Sequence, residues 1–252
     1  MTMQYSKRSV LRRAAIALAV FASLFTLSAP SSAQDYAAIV AAPDRADGDR
    51  QTDQRRDPVK LLAFTGVKSG MTVLDMGAGG GYSTELMARA VGPSGKVYGQ
   101  DFETSARAKE RFDARMKTDA MKNVVALARP FDDPLPADVA NVDLITFFFF
   151  YHDTTYMAVD RAAMNKKLFG ALKPGGFLVI ADHSAQPGAG TSVSKTLHRI
   201  EESSLRGEVE AAGFKLVGSG DWLHHPEDPR DERIFQPKVP VDEFVLKFQK
   251  PN

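Results

Sequence analysis

Short apolar runs alternate with amphipathic segments along most of the chain. Five of the runs have the length and composition of buried strands: TVLDMG, KVYGQD, NVVALAR, VDLITFFFF and FLVIAD. The segments between and after them repeat apolar residues at helical spacing, among them STELMARAV, SARAKERFDARMKTDA, RAAMNKKLFGAL and LRGEVEAAGF. Strands that alternate with helices predict a parallel sheet with both faces covered by helices. The run VDLITFFFF is predicted to be one strand over residues 142–150, with its phenylalanines packing alternately on the two faces.

The end of the chain follows a different pattern. KLVGSGDWL and VDEFVLKFQK are joined only by a polar, proline-rich loop, residues 224–240. A parallel pair needs a longer crossover, so the final strand is predicted to be antiparallel. We therefore predict an α/β fold with a Rossmann-like, doubly wound sheet of seven strands, mostly parallel with an antiparallel last strand. We expect the loop to cover the ligand site.

The first helix of this domain is predicted to begin at Asp57-Pro58. Aspartate is a favoured helix N-cap and proline is favoured in the first turn, and VKLLAFTG continues the helix. The preceding residues, 34–56, are polar and charged, as in APDRADGDRQTDQRRD. We interpret them as a polar surface arm or irregular N-terminal segment, so that the domain spans residues 57–252.

Residues 1–33 have the composition of an export signal. A basic start is followed by an apolar run, residues 14–29, and by the small residues Ser31, Ser32 and Ala33. An uncleaved membrane anchor is the alternative, but the run is shorter than the roughly 20 residues that a spanning helix needs. The sequence SKRSVLR, residues 6–12, is similar to a twin-arginine signal, although a general secretory signal also starts basic. We expect cleavage after Ala33, a periplasmic location and no stable membrane insertion of the mature chain.

Charge and cysteine content narrow the classes of partner. The chain has 32 basic and 31 acidic residues, and without the four basic residues of the leader it carries 28 against 31. This balance does not indicate a nucleic-acid partner, and a small-molecule substrate is expected instead. The absence of cysteine excludes a disulfide framework and a thiol nucleophile. The sequence predicts no particular oligomeric state.

The first predicted strand runs into a glycine-rich loop, VLDMGAGGGYSTE. Glycines let the backbone approach a ligand closely, and the following helix start offers free N–H groups. A dinucleotide loop, G-x-G-x-x-G counted from Gly77, would need glycine where Tyr82 stands. Asp75, at the strand end, would also repel a pyrophosphate, but it would attract an ammonium or sulfonium cation.

The pattern acid-x-Gly-x-Gly-x-Gly, complete from Asp75 to Gly81, resembles the first motif of class I S-adenosylmethionine-dependent methyltransferases. The likeness extends from about Pro58 to the end of the chain and includes the acid Asp101 after the second strand, the LKPGG turn and the AAGF turn. The segments YHD, ADHSA and LHRIE are similar to a group of predicted exported bacterial methyltransferases. The resemblance implies S-adenosylmethionine as the cofactor.

The resemblance also implies where the cofactor binds. The implied contacts come from the glycine loop and the ends of the next strands: Asp75, Gly77, Ala78, Gly79, Gly81, Asp101, Phe102, Asp132 and Phe149. In the family an acid placed like Asp101 accepts hydrogen bonds from the ribose hydroxyls. Asp132 or Asp133 would contact the adenine amino group, unless DDP is simply a turn. The ring of Phe149 would face the sulfonium.

Histidines near the predicted carboxyl ends of the strands are the candidates for a general base. His152 and His183 follow the fourth and fifth strands, and His198 lies in the next segment. Tyr151 and Asp153 adjoin His152 and complete the predicted catalytic set, with Asp153 and Asp182 as possible orienting groups. The alternative for each histidine is a structural hydrogen-bonding role.

A metal site is the rival use of four of these side chains, namely Asp153, Asp182, His183 and His198. Metal-dependent catechol-type methyltransferases resemble this fold but keep an acid close to the end of the fourth strand. In this chain Phe148 and Phe149 occupy that region. We therefore predict no metal.

Three functions remain in order of preference. The first is a methyltransferase acting at oxygen or nitrogen of a small molecule, with S-adenosylmethionine as methyl donor. The second is a protein that binds S-adenosylmethionine or its product without catalysis, which export would favour because the cofactor is made in the cytoplasm. The third is an NAD(P)-dependent oxidoreductase, which Asp75 and Tyr82 disfavour.

Overall fold

A seven-stranded sheet runs through the computed structural model, which describes residues 1–2, 34–102 and 104–252. The strand order is β3-β2-β1-β4-β5-β7-β6. The strands are β1 (Thr72–Met76), β2 (Lys96–Asp101), β3 (Val124–Ala128), β4 (Val142–Phe148), β5 (Leu172–His183), β6 (Lys215–Gly220) and β7 (Glu243–Gln249). The first five strands pair in parallel, and β7 lies antiparallel between β5 and β6. The predicted doubly wound fold with an antiparallel last strand is confirmed.

Eight α-helices accompany the sheet in the described part of the chain. They are α1 (Tyr36–Ala41), α2 (Asp47–Arg56), α3 (Pro58–Thr65), α4 (Tyr82–Val91), α5 (Ala106–Arg115), α6 (Arg161–Ala171), α7 (Ser194–Leu197) and α8 (Glu202–Ala211). Apolar side chains are buried in two clusters, and β4 contributes Phe148 to one and Phe147 to the other. Strands buried on both faces need no polar alternation, which explains the continuous apolar runs.

The strand order reverses between β1 and β4. From β1 the chain moves outward through β2 and β3, and it then returns to place β4 on the other side of β1. In open α/β sheets the crevice at such a switch point, at the carboxyl ends of the strands, is where ligands bind. The glycine loop after β1 and the segment after β4 both lie at this edge.

The phenylalanine run ends its strand two residues earlier than predicted. Phe149 has a positive φ of 59°, and its N–H donates to the carbonyl of Ala181 at 2.6 Å. This turn puts Phe149 with Phe148 in one apolar cluster, while Phe150 packs with Phe147 on the other. Two rings therefore pack each way, but strict alternation stops at Phe148.

The segment expected to be an irregular arm is helical. Residues 34–252 form one compact unit, with α1 and α2 inside it. In α1 the side chains of Tyr36, Ile39 and Val40 pack against the core, whereas the only buried side chain of α2 is the charged Asp49, so α2 has no apolar stripe. The predicted start of α3 is confirmed, since Asp57 caps it by accepting from the N–H of Lys60 and Pro58 opens it. The export signal lies outside the described residues.

No helix among the described residues is long and apolar enough to cross a membrane.

Candidate functional site

Three glycines of the loop have a left-handed backbone conformation. Gly77, Gly79 and Gly81 have φ angles of 63°, 52° and 82°, a region that glycine enters without steric cost. A Cβ on Gly77 would lie 3.0 Å from Cγ of Phe150. Gly81 is the N-cap of α4 and offers no side-chain cap, so the helix begins against open loop backbone. The loop can therefore bring a ligand close to the N-terminus of α4.

Two cavities meet at this loop, and both are lined by Ala78 and Gly79. The larger, about 710 Å³, lies between the loop, α2, α5 and the phenylalanines after β4. The smaller, about 330 Å³, is bordered by Asp101 and Phe102 at the end of β2 and by the end of β3. A ligand that spans both cavities would pass directly over the glycine backbone.

Asp101 joins the loop to the smaller cavity. Its carboxylate accepts from the N–H of Gly79 at 2.8 Å and from the N–H of Phe102 at 2.7 Å. Burial raises the pKa of Asp101, and the two backbone N–H groups oppose that rise. The acid is thus held at the cavity wall by the loop itself, where its remaining lone pairs can accept from a ligand hydroxyl.

Asp75 supports the loop from below. Its carboxylate is fully buried and accepts from the hydroxyls of Ser83, Thr84 and Thr146 at 2.7–2.8 Å. Burial raises the pKa of Asp75, and the three hydroxyl hydrogen bonds act against that rise. Asp75 is absent from the lining of both cavities. It therefore ties β1, β4 and the start of α4 together instead of facing a cation as expected.

Asp132 is also absent from the lining of both cavities. Its neighbour Asp133 forms ion pairs with Arg129 and Lys167, which suits the turn interpretation of this segment. The structure does not bring Asp132 together with the other predicted cofactor residues.

Helix α2 lies over the larger cavity and is called the cover from here on. One arginine of α5, Arg115, binds it to the rest of the domain. Arg115 donates to Asp49 at 2.5 Å, to Glu85 at 2.5 Å and to the carbonyl of Gly80 at 2.8 Å. Burial acts to lower the pKa of Arg115, but the two carboxylates outweigh it and raise the pKa. Arg115 thus connects α2, α4, α5 and the glycine loop through charged groups.

A second set of hydrogen bonds, centred on Asp53, also holds α2 in place. The hydroxyl of Tyr82 donates to Asp53 at 2.7 Å, and Asp53 also accepts a two-pronged contact from Arg45 at 2.8 and 2.9 Å. Tyr82, which breaks the dinucleotide pattern, therefore fastens the cover at the start of α4. Sequence reasoning missed these residues because it searched for apolar spacing. The available signal was charge, with Asp47 and Asp49 in the first turn of α2 and Arg55 and Arg56 in its last.

Arg56 lines the larger cavity, and its guanidinium has no hydrogen-bond or ion-pair partner among the described residues. It lies 4.2 Å from the ring centre of Phe149 and 5.5 Å from that of Tyr82. Burial lowers the pKa of Arg56 to about 10. A half-buried guanidinium that packs on two aromatic faces and forms no ion pair among the described residues is an available partner for an anionic ligand group.

On the other side of Phe149, β4 and β5 bring together the predicted histidines. His152 is 1% exposed, its Nδ1 lies 2.7 Å from Asp182 Oδ1, and its backbone N–H donates to Asp182 Oδ2. Burial acts to lower the pKa of His152, but Asp182 and Asp153 outweigh it and raise the pKa. Burial likewise acts to raise the pKa of Asp182, and the contact with His152 lowers it below its usual value. Asp182 is thus an orienting group for His152, as predicted.

His198 completes this cluster from the C-terminus of α7. Its Nδ1 lies 3.2 Å from Asp153 Oδ1 and 3.3 Å from His152 Nε2. Burial and the charge of His152 lower the pKa of His198, against the influence of Asp153. The ring packs on Phe235 with centres 4.8 Å apart, so the loop expected to cover the site does contact it.

His183 contacts the larger cavity through Phe149, one of the residues that line it. Its ring stacks on Phe149, with centres 5.2 Å apart, and lies 5.5 Å from the ring of His152. His183 Nδ1 is 2.9 Å from Glu243 Oε1, but the two atoms are not aligned for a hydrogen bond. Phe149 thus lines the larger cavity and also packs against the ring of His183.

Tyr151 does not belong with the other catalytic candidates. It is fully buried in the opposite apolar cluster, where its ring packs against Phe147. Its hydroxyl donates to Glu208 and accepts from Asn165, both at 2.8 Å. Burial raises the pKa of Tyr151. The predicted catalytic role is corrected to a structural one, because the 3-10 turn Tyr151–Thr155 points this side chain into the core.

Comparison with known proteins agrees with this architecture. A family model described as a methyltransferase domain matches residues 67–225, well over half of the chain. The chain therefore belongs to the methyltransferase-domain family, as the glycine loop and the acid after β2 indicated.

Curated relatives are similar to part of the chain. A demethylmenaquinone methyltransferase of Lactococcus lactis is 32% identical over 130 residues, 50% of this chain and 47% of the relative. A ubiquinone/menaquinone biosynthesis C-methyltransferase of Pseudomonas paraeruginosa is 29% identical over 170 residues, 66% of this chain and 64% of the relative. The chain thus spans about half to just under two thirds of the length of these curated relatives.

Solved structures show the same fold. The crystal structure of a SAM-dependent methyltransferase from Aquifex aeolicus superposes with a TM-score of 0.56, covering 81% of this chain and 99% of that one. The two sequences are 21% identical, so this likeness supports the fold alone.

Proposed function

We propose that the protein is an S-adenosylmethionine-dependent methyltransferase that acts on a small molecule. The observation that carries the proposal is the glycine loop, which lies between two cavities and has Asp101 fixed at the wall of the smaller one. Membership of the methyltransferase-domain family supports it.

The smaller cavity would hold the adenosine of the cofactor and the larger cavity its methionine. Asp101 would accept from the ribose hydroxyls, and Phe102 would border the adenosine. The methionine carboxylate would be held by Arg56, which has no hydrogen-bond or ion-pair partner among the described residues. An arginine and a carboxylate form a charge-assisted, two-pronged contact, so Arg56 supplies binding energy that the glycine loop alone does not.

The methyl acceptor lies beyond Phe149 in this proposal. The cofactor supplies an electrophilic methyl group, and the protein must align the acceptor, exclude water and take up any proton released. Phe148, Phe149 and Phe150 form an aromatic wall of the larger cavity, and His183, stacked on Phe149, is the base that we propose. The relatives named above carry quinone names, so reduced quinones and other small aromatic acceptors are the compounds to test first.

Two experiments test this function. Calorimetric titration of the purified protein with S-adenosylmethionine and with NADH should give one-to-one binding of the former and none of the latter. Absence of S-adenosylmethionine binding would exclude both the enzyme and a non-catalytic binding protein. Release of S-adenosylhomocysteine in the presence of naphthoquinols, catechols or a cell-extract metabolite fraction then separates these two. Binding without acceptor-dependent release from any of these sources would favour the non-catalytic protein.

We also propose that residues 1–33 are an export signal that delivers the protein to the periplasm, as in the exported bacterial group that the motifs resemble. The basic start and apolar run support this proposal. Replacement of Lys7-Arg8 by Gln-Gln should keep the protein in the cytoplasm, as measured by cell fractionation. Unchanged export would exclude the twin-arginine route and leave a general secretory signal.

A further inference from the structure

Three side-chain atoms converge behind Phe149 and His183, namely His152 Nε2, Asp153 Oδ1 and His198 Nδ1. His152 Nε2 lies 3.3 Å from His198 Nδ1 and 3.4 Å from Asp153 Oδ1, and the latter two are 3.2 Å apart. The three atoms therefore form a nearly equilateral triangle. Two imidazoles and a carboxylate are the groups that bind divalent transition metals in proteins.

The size of the triangle matches the coordination sphere of such an ion. With bonds of about 2.1 Å, neighbouring ligand atoms lie about 3.0 Å apart in octahedral and about 3.4 Å apart in tetrahedral coordination. The observed separations of 3.2–3.4 Å lie between these limits. An ion above the triangle would touch all three atoms and keep its opposite face open.

The ligand atoms are held in place by a second layer of contacts. Asp182 accepts from Nδ1–H of His152, and this tautomer leaves the Nε2 lone pair available to bind an ion. The hydroxyl of Tyr156 donates to Asp153 Oδ1 itself and lies 3.5 Å from His198 Nδ1, at the edge of the triangle, and Phe235 packs on the ring of His198. Carboxylate–histidine–metal arrangements of this kind orient the ligand and raise its basicity.

The backbone at His198 supports a functional role. His198 has a positive φ of 56°, which is uncommon for a residue other than glycine and carries an energetic cost. This conformation points its Nδ1 toward the other two ligands. The side chains of His198 and Asp153 remain 22% and 13% exposed, so an ion can enter from solvent.

We propose that His152, Asp153 and His198 bind a divalent first-row transition-metal ion through a two-histidine, one-carboxylate face. The sequence pattern predicted no metal, and its rival metal set used Asp182 and His183 instead of His152. The geometry assigns Asp182 to the outer layer, as the partner of a ligand. The competing occupant of the triangle is a proton shared among the same three atoms.

Metal binding by the full chain tests the proposal without reference to methyl transfer. Tag-free protein is treated with EDTA, dialysed, and titrated with ZnCl2 by calorimetry and with CoCl2 by visible spectroscopy. We expect one Zn²⁺ per chain and a Co²⁺ absorption band typical of imidazole and carboxylate ligands. The variants His198→Asn and Asp153→Asn should each weaken Zn²⁺ binding by about tenfold or more.

The matched control is His225→Asn, because His225 is a partly exposed histidine beside a carboxylate, Glu227, outside the cluster. This variant should bind Zn²⁺ as the wild type does. Thermal unfolding without metal checks that each variant folds, and Asp153→Asn carries the test if His198→Asn does not. Absence of stoichiometric binding, or equal affinity in wild type and the cluster variants, would overturn the proposal and leave the proton as the occupant.

Discussion

The two walls of the larger cavity are built in different ways. The floor is the glycine loop, supported by the uncharged hydroxyl contacts of Ser83, Thr84 and Thr146 to Asp75 and by the apolar strands beside it. The cover is α2, a helix whose buried contacts are ion pairs through Arg115 and Arg45. The same ligand space thus lies between a wall held by apolar packing and buried hydroxyl hydrogen bonds and a wall held by ion pairs.

Because the two walls are held by different interactions, substitutions in the floor and in the cover should have different effects on stability and binding. The floor belongs to the core of the sheet, so damage to it should cost folding stability and cofactor binding together. The cover joins the core through a few charged groups, so it can be loosened one contact at a time. Variants of the two walls therefore measure how far the cofactor site depends on each.

The largest effect is expected for Asp75→Ala in the floor. The substitution leaves the hydroxyls of Ser83, Thr84 and Thr146 without their buried acceptor, and each unsatisfied group costs about 1–3 kcal/mol. We expect the free energy of unfolding to fall by about 4 kcal/mol and S-adenosylmethionine binding to be lost. Urea unfolding and calorimetry measure the two effects.

The control for this variant is Asp119→Ala, because the Asp119 side chain is 90% exposed. It should change neither quantity. If Asp75→Ala bound the cofactor with wild-type affinity, the glycine loop would not be the binding site.

The next effect is expected for Arg115→Ala, which removes the central clamp of the cover. Asp49 would keep only the 3.8 Å contact with Arg45, while Glu85 would keep Arg89 at 2.8 Å, so the loss of Arg115 from two buried carboxylates should cost about 3 kcal/mol. Limited proteolysis should then cleave within α2 faster than in the wild type. Arg107→Ala, at an exposed position of the same helix α5, is the control. Equal proteolysis of the two variants would show that the ion pairs do not hold the cover.

A smaller effect, confined to binding, is expected for Arg56→Met. Methionine keeps much of the side-chain volume but removes the charge that faces the cavity. Affinity for S-adenosylmethionine should fall about tenfold, or about 1.4 kcal/mol, with little change in unfolding. Arg56→Lys should lose less, since it keeps the charge without the planar fork. An unchanged dissociation constant for Arg56→Met would exclude contact with the cofactor carboxylate.

The smallest effect is expected for Tyr82→Phe, which removes only the hydroxyl that donates to Asp53. The loss of one hydrogen bond whose acceptor stays paired should lower the free energy of unfolding by about 1 kcal/mol. Asp53 keeps its contact with Arg45, so the cover should stay in place. A change as large as that of Arg115→Ala would mean that Tyr82, not Arg115, is the main clamp.

The same contrast explains what the sequence could predict. Buried strands, the glycine loop and Asp101 leave local signals, because apolar runs, glycines and strand-end acids occupy fixed positions along the chain. The cover leaves no such signal, since Asp49 and Asp53 are held by partners that are distant in sequence, Arg115 and Tyr82. For a related reason, the sequence pattern predicted Tyr151 at the catalytic site, although its side chain lies in the core. The strand ends at Phe148, and the left-handed turn at Phe149 changes which side chains face the core.

The arrangement of the histidines could be predicted from the sequence only in part. Their placement near the carboxyl ends of the strands was predictable from topology, and so was Asp182 as an orienting group. The convergence of His198 on His152 and Asp153 was not, because it depends on the left-handed backbone at the end of α7. Spacing alone does not reveal such a turn at a histidine.

A crystal structure with S-adenosylhomocysteine is the most direct test of the central claim, that the cofactor lies between the floor and the cover. We expect the ribose hydroxyls to lie within hydrogen-bond distance of Asp101 and the ligand carboxylate to lie within hydrogen-bond distance of the Arg56 guanidinium. A ligand bound away from the glycine loop, or one that leaves Arg56 without contact while α2 stays closed, would contradict it.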